Sequence, residues 1–162
     1  MAQIEAYKSL AASTDDPKVQ VECTVQAYSD SFVLANRTQD ATALKEWWHT
    51  PAMLMFGDRG IRDLRDDDAV DRLYARMVGG LAGSGYSDSR LFDFEVTLIT
   101  PSSAMAKCKG RRMREDGSVL QTLTPAYLLG LVRPAPDAAA GGGADDDESQ
   151  QSVWRIIGMG NG

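Results

Sequence analysis

Histidine occurs once in this 162-residue chain and cysteine twice. His49 has no second histidine with which to share a metal, and Cys23 and Cys108 lie far apart in sequence. Zinc-finger spacing and a thioredoxin-like pair are therefore excluded, and no metal or cofactor is expected. No phosphate-cradling glycine loop and no nucleophile elbow is present. The glycine-rich "GGLAGSG" follows a helical pattern instead of opening one, so it reads as a helix stop. No apolar run approaches the roughly 18 residues of a membrane span. The opening "MAQIEAYKSLAAS" has no basic segment leading into an apolar one, so no secretion signal is read there. Two lone thiols without such a signal fit a reducing cytoplasm, with both as small core residues.

Clustered basic charge is also missing. The net charge is −6, and Asp137, Asp145, Asp146, Asp147 and Glu148 fall in one stretch that holds no basic residue. Without them the chain is close to neutral. The acidity thus describes one segment, 134–152, and not a binding face. A nearly neutral body argues against nucleic acid as a partner, because counterion release needs grouped Lys and Arg. The Pro, Ala, Gly and Asp content of 134–152 predicts a flexible loop between the last two strands.

The remaining sequence is strongly patterned. Residues 1–16 read as an arm or short helix. Asp16 and Pro17 then make a helix start. Val21, Val25, Tyr28, Phe32 and Ala35 follow as one apolar stripe, predicting a helix from Pro17 to about Arg37. Asp40 starts a second, short helix with Leu44, Trp47 and Trp48, which must stop near His49 because Thr50 precedes Pro51. "AMLMF" and "IRDLR" read as a strand pair around the turn "GDRG". Val70, Leu73, Tyr74, Met77, Val78 and Leu81 mark the clearest amphipathic helix, with three aspartates at its N-terminus. The period then changes to two. Phe92, Phe94, Val96 and Leu98 alternate with acidic and polar residues, and Ala104, Ala106 and Cys108 alternate with Lys107, Lys109 and Arg111. Asp-Gly at 116–117 predicts a hairpin. Leu120 to Val132 reads as one long strand, and "SVWRIIGMG" as the last.

Helices first and antiparallel strands after predict an α+β domain over residues 17–162. The helix pair "QAYSDSFVLANRTQDATALKEWW", the segment "HTPAMLMFGDRGIRDLRDDDAV" and the strands from Phe92 to Met159 resemble the nuclear transport factor 2-like superfamily. That group includes SnoaL-like polyketide cyclases and ketosteroid isomerases. The resemblance implies a cone: a curved antiparallel sheet wrapped around three N-terminal helices, with an apolar pocket at the open end. It also implies a homodimer through the outer sheet face, where Asp93 and Glu95 meet Lys107, Lys109 or Arg111. The plainer reading of that face is a solvated surface held by weak ion pairs.

What the resemblance implies about chemistry is divided. The ketosteroid isomerase tyrosine and aspartate positions fall on Phe32 and near Phe56, which can neither donate to an oxyanion nor take a proton. Tyr28 and Asp58 offer a shifted version. Limonene epoxide hydrolases use an Asp-Arg-Asp set; Arg112 has inward strand parity and Asp63 is its conceivable partner, although a residue so near the strand end more simply reaches solvent. A cyclase-like base is conceivable in His49. The simpler role for His49 is to cap the carbonyls ending the second helix. Trp47, Trp48, Tyr74, Tyr127 and Trp154 are core or pocket lining, and Met55 in "MLMF" suits either.

Three readings follow. The first is a binder of a small, mainly apolar molecule, lined by Tyr28, Phe32, Trp47, Trp48, Met55, Phe56, Tyr74, Arg112, Tyr127 and Trp154. The second is an isomerase, cyclase or hydratase using His49 with Asp58 or Asp63. The third is a dimeric interaction module whose cone is filled by its own side chains.

Overall fold

A computed structural model describes residues 1–56, 60–133 and 152–161, with the side chains of Phe56 and Asn161 outside that description. Asp58 and nearly all of the acidic segment 134–152 also lie outside the described residues. The N-terminal segment is a helix, α1 (Ala2–Ser13), which buries only Ile4. α2 (Pro17–Thr38) starts as the sequence predicts: Pro17 occupies its first turn, and the Asp16 carboxylate accepts the Lys18 N–H at 2.9 Å. Its buried face carries Val21, Val25, Tyr28, Phe32 and Ala35.

The second predicted helix is shorter than expected. It is a 3-10 helix, Thr42–Trp47, opened by the Asp40 carboxylate, which accepts from Thr42 N–H at 3.0 Å and Thr42 Oγ1 at 2.7 Å. Trp48 already begins β1 (Trp48–Phe56). The cap role for His49 is thereby corrected: His49 is an exposed strand residue, and the last helical turn is closed by the Trp48 N–H donating to the Lys45 carbonyl. The cause is long-range, since Trp48 lies opposite Ile156 of β7 (Val153–Asn161), and that ladder takes up the residues a longer helix would use.

β2 (Gly60–Leu64) returns antiparallel to β1, and α3 (Asp67–Leu81) follows, with the Asp66 carboxylate accepting from Ala69 N–H at 2.8 Å. β3 (Tyr86–Thr100) and β4 (Ser103–Arg114) form the longest hairpin. Here the simple alternation is corrected. Asp93 has a left-handed φ of 54° and makes a bulge between Phe92 and Glu95. Phe92 therefore shares a face with Lys109 and lies beneath the Arg111 guanidinium, 5.3 Å from its ring centre, while Phe94, Val96 and Leu98 pack on the core. The expected long strand from Leu120 is two strands, β5 (Val119–Leu123) and β6 (Pro125–Val132). Pro125, which has no N–H to give to a ladder, stands at the junction, and β5 and β6 pair in one register with the far and near ends of β4.

The sheet order is β2-β1-β7-β6-β4-β3, with β5 on β4. All pairs are antiparallel except β1 with β7. The sheet is curved and unclosed, and the helices pack on its inner face. Val21, Val25, Leu44, Leu54, Val70, Tyr74, Leu129 and Ile156 are fully buried between them. Among the described residues no helix is long and apolar enough to cross a membrane.

One half-buried carboxylate opposes this packing. Asp30 of α2 has a carboxylate oxygen sealed from solvent with no hydrogen-bond partner. Burial raises its pKa, and the neighbouring Asp88 of β3 raises it further. A raised folded pKa means that the ionised form opposes folding above that pKa and ceases to oppose it as the carboxyl protonates. Asp30→Asn should therefore melt about 2–4 °C above the parent at pH 7. The gap should close as the pH falls below about 4. Thermal melts at the two pH values check this, and an Asn variant no more stable than the parent at pH 7 would overturn it.

Candidate functional site

Six of the residues expected to line a pocket converge on the inner face. Tyr28 and Phe32 lie one turn apart on α2, Tyr74 comes from the middle of α3, Trp48 from the start of β1, Tyr127 from β6 and Arg112 from β4. Tyr28 Oη and Tyr74 Oη are 2.6 Å apart, and Trp48 Nε1 donates to Tyr74 Oη at 3.0 Å. Rings meet edge to face: Tyr28 with Tyr127 at 5.8 Å, Phe32 with Tyr74 at 6.2 Å, and Phe32 with Tyr86 at 6.2 Å. The Arg112 guanidinium sits 5.4 Å from the Phe32 ring centre.

Tyr74 Oη accepts from the indole, and in its 2.6 Å hydrogen bond with Tyr28 Oη either hydroxyl can donate. Tyr28 Oη also lies 3.9 Å from Met159 Sδ, a weak acceptor. Tyr127 Oη has no hydrogen bond among the described residues. Burial raises the pKa of all three phenols, pushing Tyr28 up to about 12 and Tyr74 and Tyr127 well above the ordinary value. For Tyr28 the hydrogen bond with Tyr74 and the charge of Arg112 act in the opposite direction, and weakly. At neutral pH these groups are neutral donors, suited to holding an oxygen acceptor and unsuited to taking a proton.

The other predicted residues fall elsewhere. Trp47 and Trp154 line a separate cavity of about 300 Å³ between α1, α2, the 3-10 helix and β7, together with Tyr7, Ala11 and Gln20. There Trp154 Nε1 donates to Gln20 Oε1 at 3.0 Å, Gln20 Nε2 donates to the Thr14 carbonyl, and Lys8 lies 5.4 Å over Trp47. Met55 is 39% exposed on the outer face. His49 and Asp63 are exposed, on β1 and β2, with no hydrogen bond or ion pair joining them to each other or to the aromatic group. Arg112 does not pair with Asp63 and does not simply reach solvent: Nη1 donates to Gln121 Oε1 at 3.0 Å and Nε is buried. Tyr86, Gln121 and Gln20 carry no local signal of a site. Tyr86 stands at a strand start, Gln121 on a strand read as apolar, and Gln20 one residue before the α2 stripe, so only strand and helix pairing reveals them. Among the described residues no group of His, Cys, Asp and Glu is arranged to hold a metal ion.

With this geometry in hand, the comparisons agree on fold. A family profile described as NTF2-like protein (DUF6841) matches residues 15–133. No curated protein matches the sequence. Among solved structures, an NTF2-like protein with a cystatin-like fold from Novosphingobium aromaticivorans superposes with a TM-score of 0.58 at 16% identity, covering 92% of this chain and 90% of that one. A domain of unknown function with a cystatin-like fold from Nostoc punctiforme gives 0.55 at 14% identity, covering 86% of this chain and 75% of that one. An NTF2-like protein of unknown function from Shewanella oneidensis gives 0.53 at 13% identity, covering 85% and 95%.

The buried phenols generate a pH prediction. Tyr28 is raised from its ordinary 10.0 to about 12 by burial, so the folded state binds this proton more tightly than the unfolded chain. Stability should hold up to about pH 10 and fall as the pH rises through 12. Tyrosinate absorbance followed from pH 8 to 13 should show Tyr28, Tyr74 and Tyr127 ionising only together with unfolding. Reversible ionisation of all five tyrosines near pH 10 in a folded chain would contradict the buried network.

Proposed function

The chain belongs to the family described as NTF2-like protein (DUF6841), and on that basis we propose that it is a binding module for a small, mainly apolar molecule held inside the cone. The observation that carries this reading is the convergence of Tyr28, Phe32, Tyr74, Trp48 and Tyr127 from four elements, which brings the hydroxyls of Tyr28 and Tyr74 and the Trp48 indole N–H together among aromatic rings. An apolar wall with a few convergent donors is what a small-molecule site needs. The enzyme reading would require a base beside those donors, and it has no such support among the described residues. Cys23 and Cys108 are unpaired buried thiols, which suits a reducing compartment such as the cytoplasm.

A neutral fluorescent probe tests the binding reading. N-phenyl-1-naphthylamine should bind saturably at one site per chain. Phe32→Trp, which thickens the wall between Tyr74 and Tyr86, should weaken it on the order of tenfold. Ala11→Trp, which fills the cavity beneath α1, should leave the affinity unchanged. No saturable binding, or a loss confined to the Ala11 variant, would remove the cone as the site.

A homodimer through the outer sheet face is supported by a separate observation. Met53, Gly158, Leu128, Met105 and Thr97 lie opposite one another across β1, β7, β6, β4 and β3, forming one weakly polar row. The next row runs Met55, Gly160, Ala126, Lys107 and Glu95. The two glycines keep the face flat; at Gly160 an added Cβ would meet the Met55 carbonyl at 3.1 Å. A flat apolar row beside both charge signs is self-complementary about a two-fold axis. Light scattering at micromolar concentration should give a dimer, and Met53→Glu with Met105→Glu should give a folded monomer. A parent chain monomeric at every concentration would exclude this assembly.

A further inference from the structure

We infer that the molecule held in the cone carries a carboxylate, and that Arg112 is the residue that receives it. This deepens the binding reading above and rests on it. Arg112 is the last inward-facing residue of the β4 series Ala104, Ala106, Cys108 and Gly110, all of which are buried. The residue is half-buried. Its Nε is sealed from solvent without a hydrogen-bond partner. Nη1 has one partner, the neutral amide oxygen of Gln121 at 3.0 Å. Its Cζ lies over the Phe32 ring, 5.4 Å from the ring centre. None of the ion pairs among the described residues includes Arg112, whereas Arg72 and Arg90 each meet an aspartate.

A guanidinium cannot escape this position by losing its proton. A guanidinium N–H withdrawn from water needs an acceptor, and the Gln121 amide oxygen serves Nη1 and leaves Nε without one. The planar fork matches a carboxylate, two oxygens against two N–H groups, better than it matches any neutral oxygen. The groups around it are the rings of Phe32, Tyr28, Tyr86 and Tyr127, the last three close enough to feel its charge. They favour a flat apolar body behind the carboxylate. Phe32 in turn is held by Tyr74 and Tyr86, so the guanidinium and the ring it rests on are set before any ligand arrives. The ligand class is therefore an aromatic or cyclic monocarboxylate.

The test compares 2-naphthoate with its neutral isostere 2-naphthamide, each titrated calorimetrically into the full chain at pH 7.5. The carboxylate should bind at least about tenfold more tightly than the amide. Arg112→Gln should abolish that preference by weakening the naphthoate while leaving the naphthamide within about twofold. Arg112→Lys, which keeps the charge and loses the fork, should retain only part of the preference. If the Gln variant does not fold, the wild-type comparison and the Lys variant decide alone. Equal binding of the two probes by the parent chain would overturn the role of Arg112 and leave the cone reading standing. A preference that survives in the folded Gln variant would do the same. Binding of neither probe would remove the cone reading and this inference with it.

Discussion

Three elements meet at a single oxygen. Tyr74 Oη receives the Trp48 indole proton and sits 2.6 Å from Tyr28 Oη, so α3, β1 and α2 are joined at the centre of the fold. Tyr74 is fully buried, and a buried hydroxyl without a partner costs about 1–3 kcal/mol. The three polar groups satisfy one another only in one relative placement of their elements. That placement also positions Phe32, whose ring packs edge to face on Tyr74, and through Phe32 it sets the surface on which Arg112 rests. Dispersion and burial alone would allow α3 to slide along α2; the hydrogen-bonded chain does not.

The sheet contributes the second constraint, by deciding which side chains face inward. Arg111 and Arg112 are neighbours in the chain, yet one stacks on Phe92 outside and the other on Phe32 inside. The period of two requires this separation. One irregularity adjusts it. The Asp93 bulge sends Phe92 outward while Phe94, Val96 and Leu98 remain on the core. β5 and β6 lie along β4 in one register, so Gln121 comes opposite Arg112 and Tyr127 opposite Ala106 on the same inner face.

Much of this was legible in the residues. The α2 stripe, its Asp16–Pro17 start, the α3 pattern and the Asp-Gly hairpin are encoded within a few residues of where they act, and each formed as expected. The order of helices before strands was enough to indicate the α+β class, and the resemblance to the nuclear transport factor 2-like superfamily implied the cone. Tyr28, Phe32 and Tyr74 were recognisable as inward-facing for the same reason, since they belong to helical stripes.

Other features depended on partners distant in sequence. His49 reads as a helix end until β7, more than a hundred residues later, pairs with Trp48 and turns the segment into strand. Trp47 and Trp48 are adjacent and chemically alike, but that pairing sends one to the cavity beneath α1 and the other to Tyr74. Nothing local distinguishes an arginine that reaches water from one held against Phe32 with its Nε sealed. Local patterns determine which residues turn away from water, because helix and strand periods act over a few residues. Which of those residues meet, and which polar group is left without a partner among them, is decided only when strands and helices far apart in sequence pack together and exclude the solvent that would otherwise satisfy every group alike.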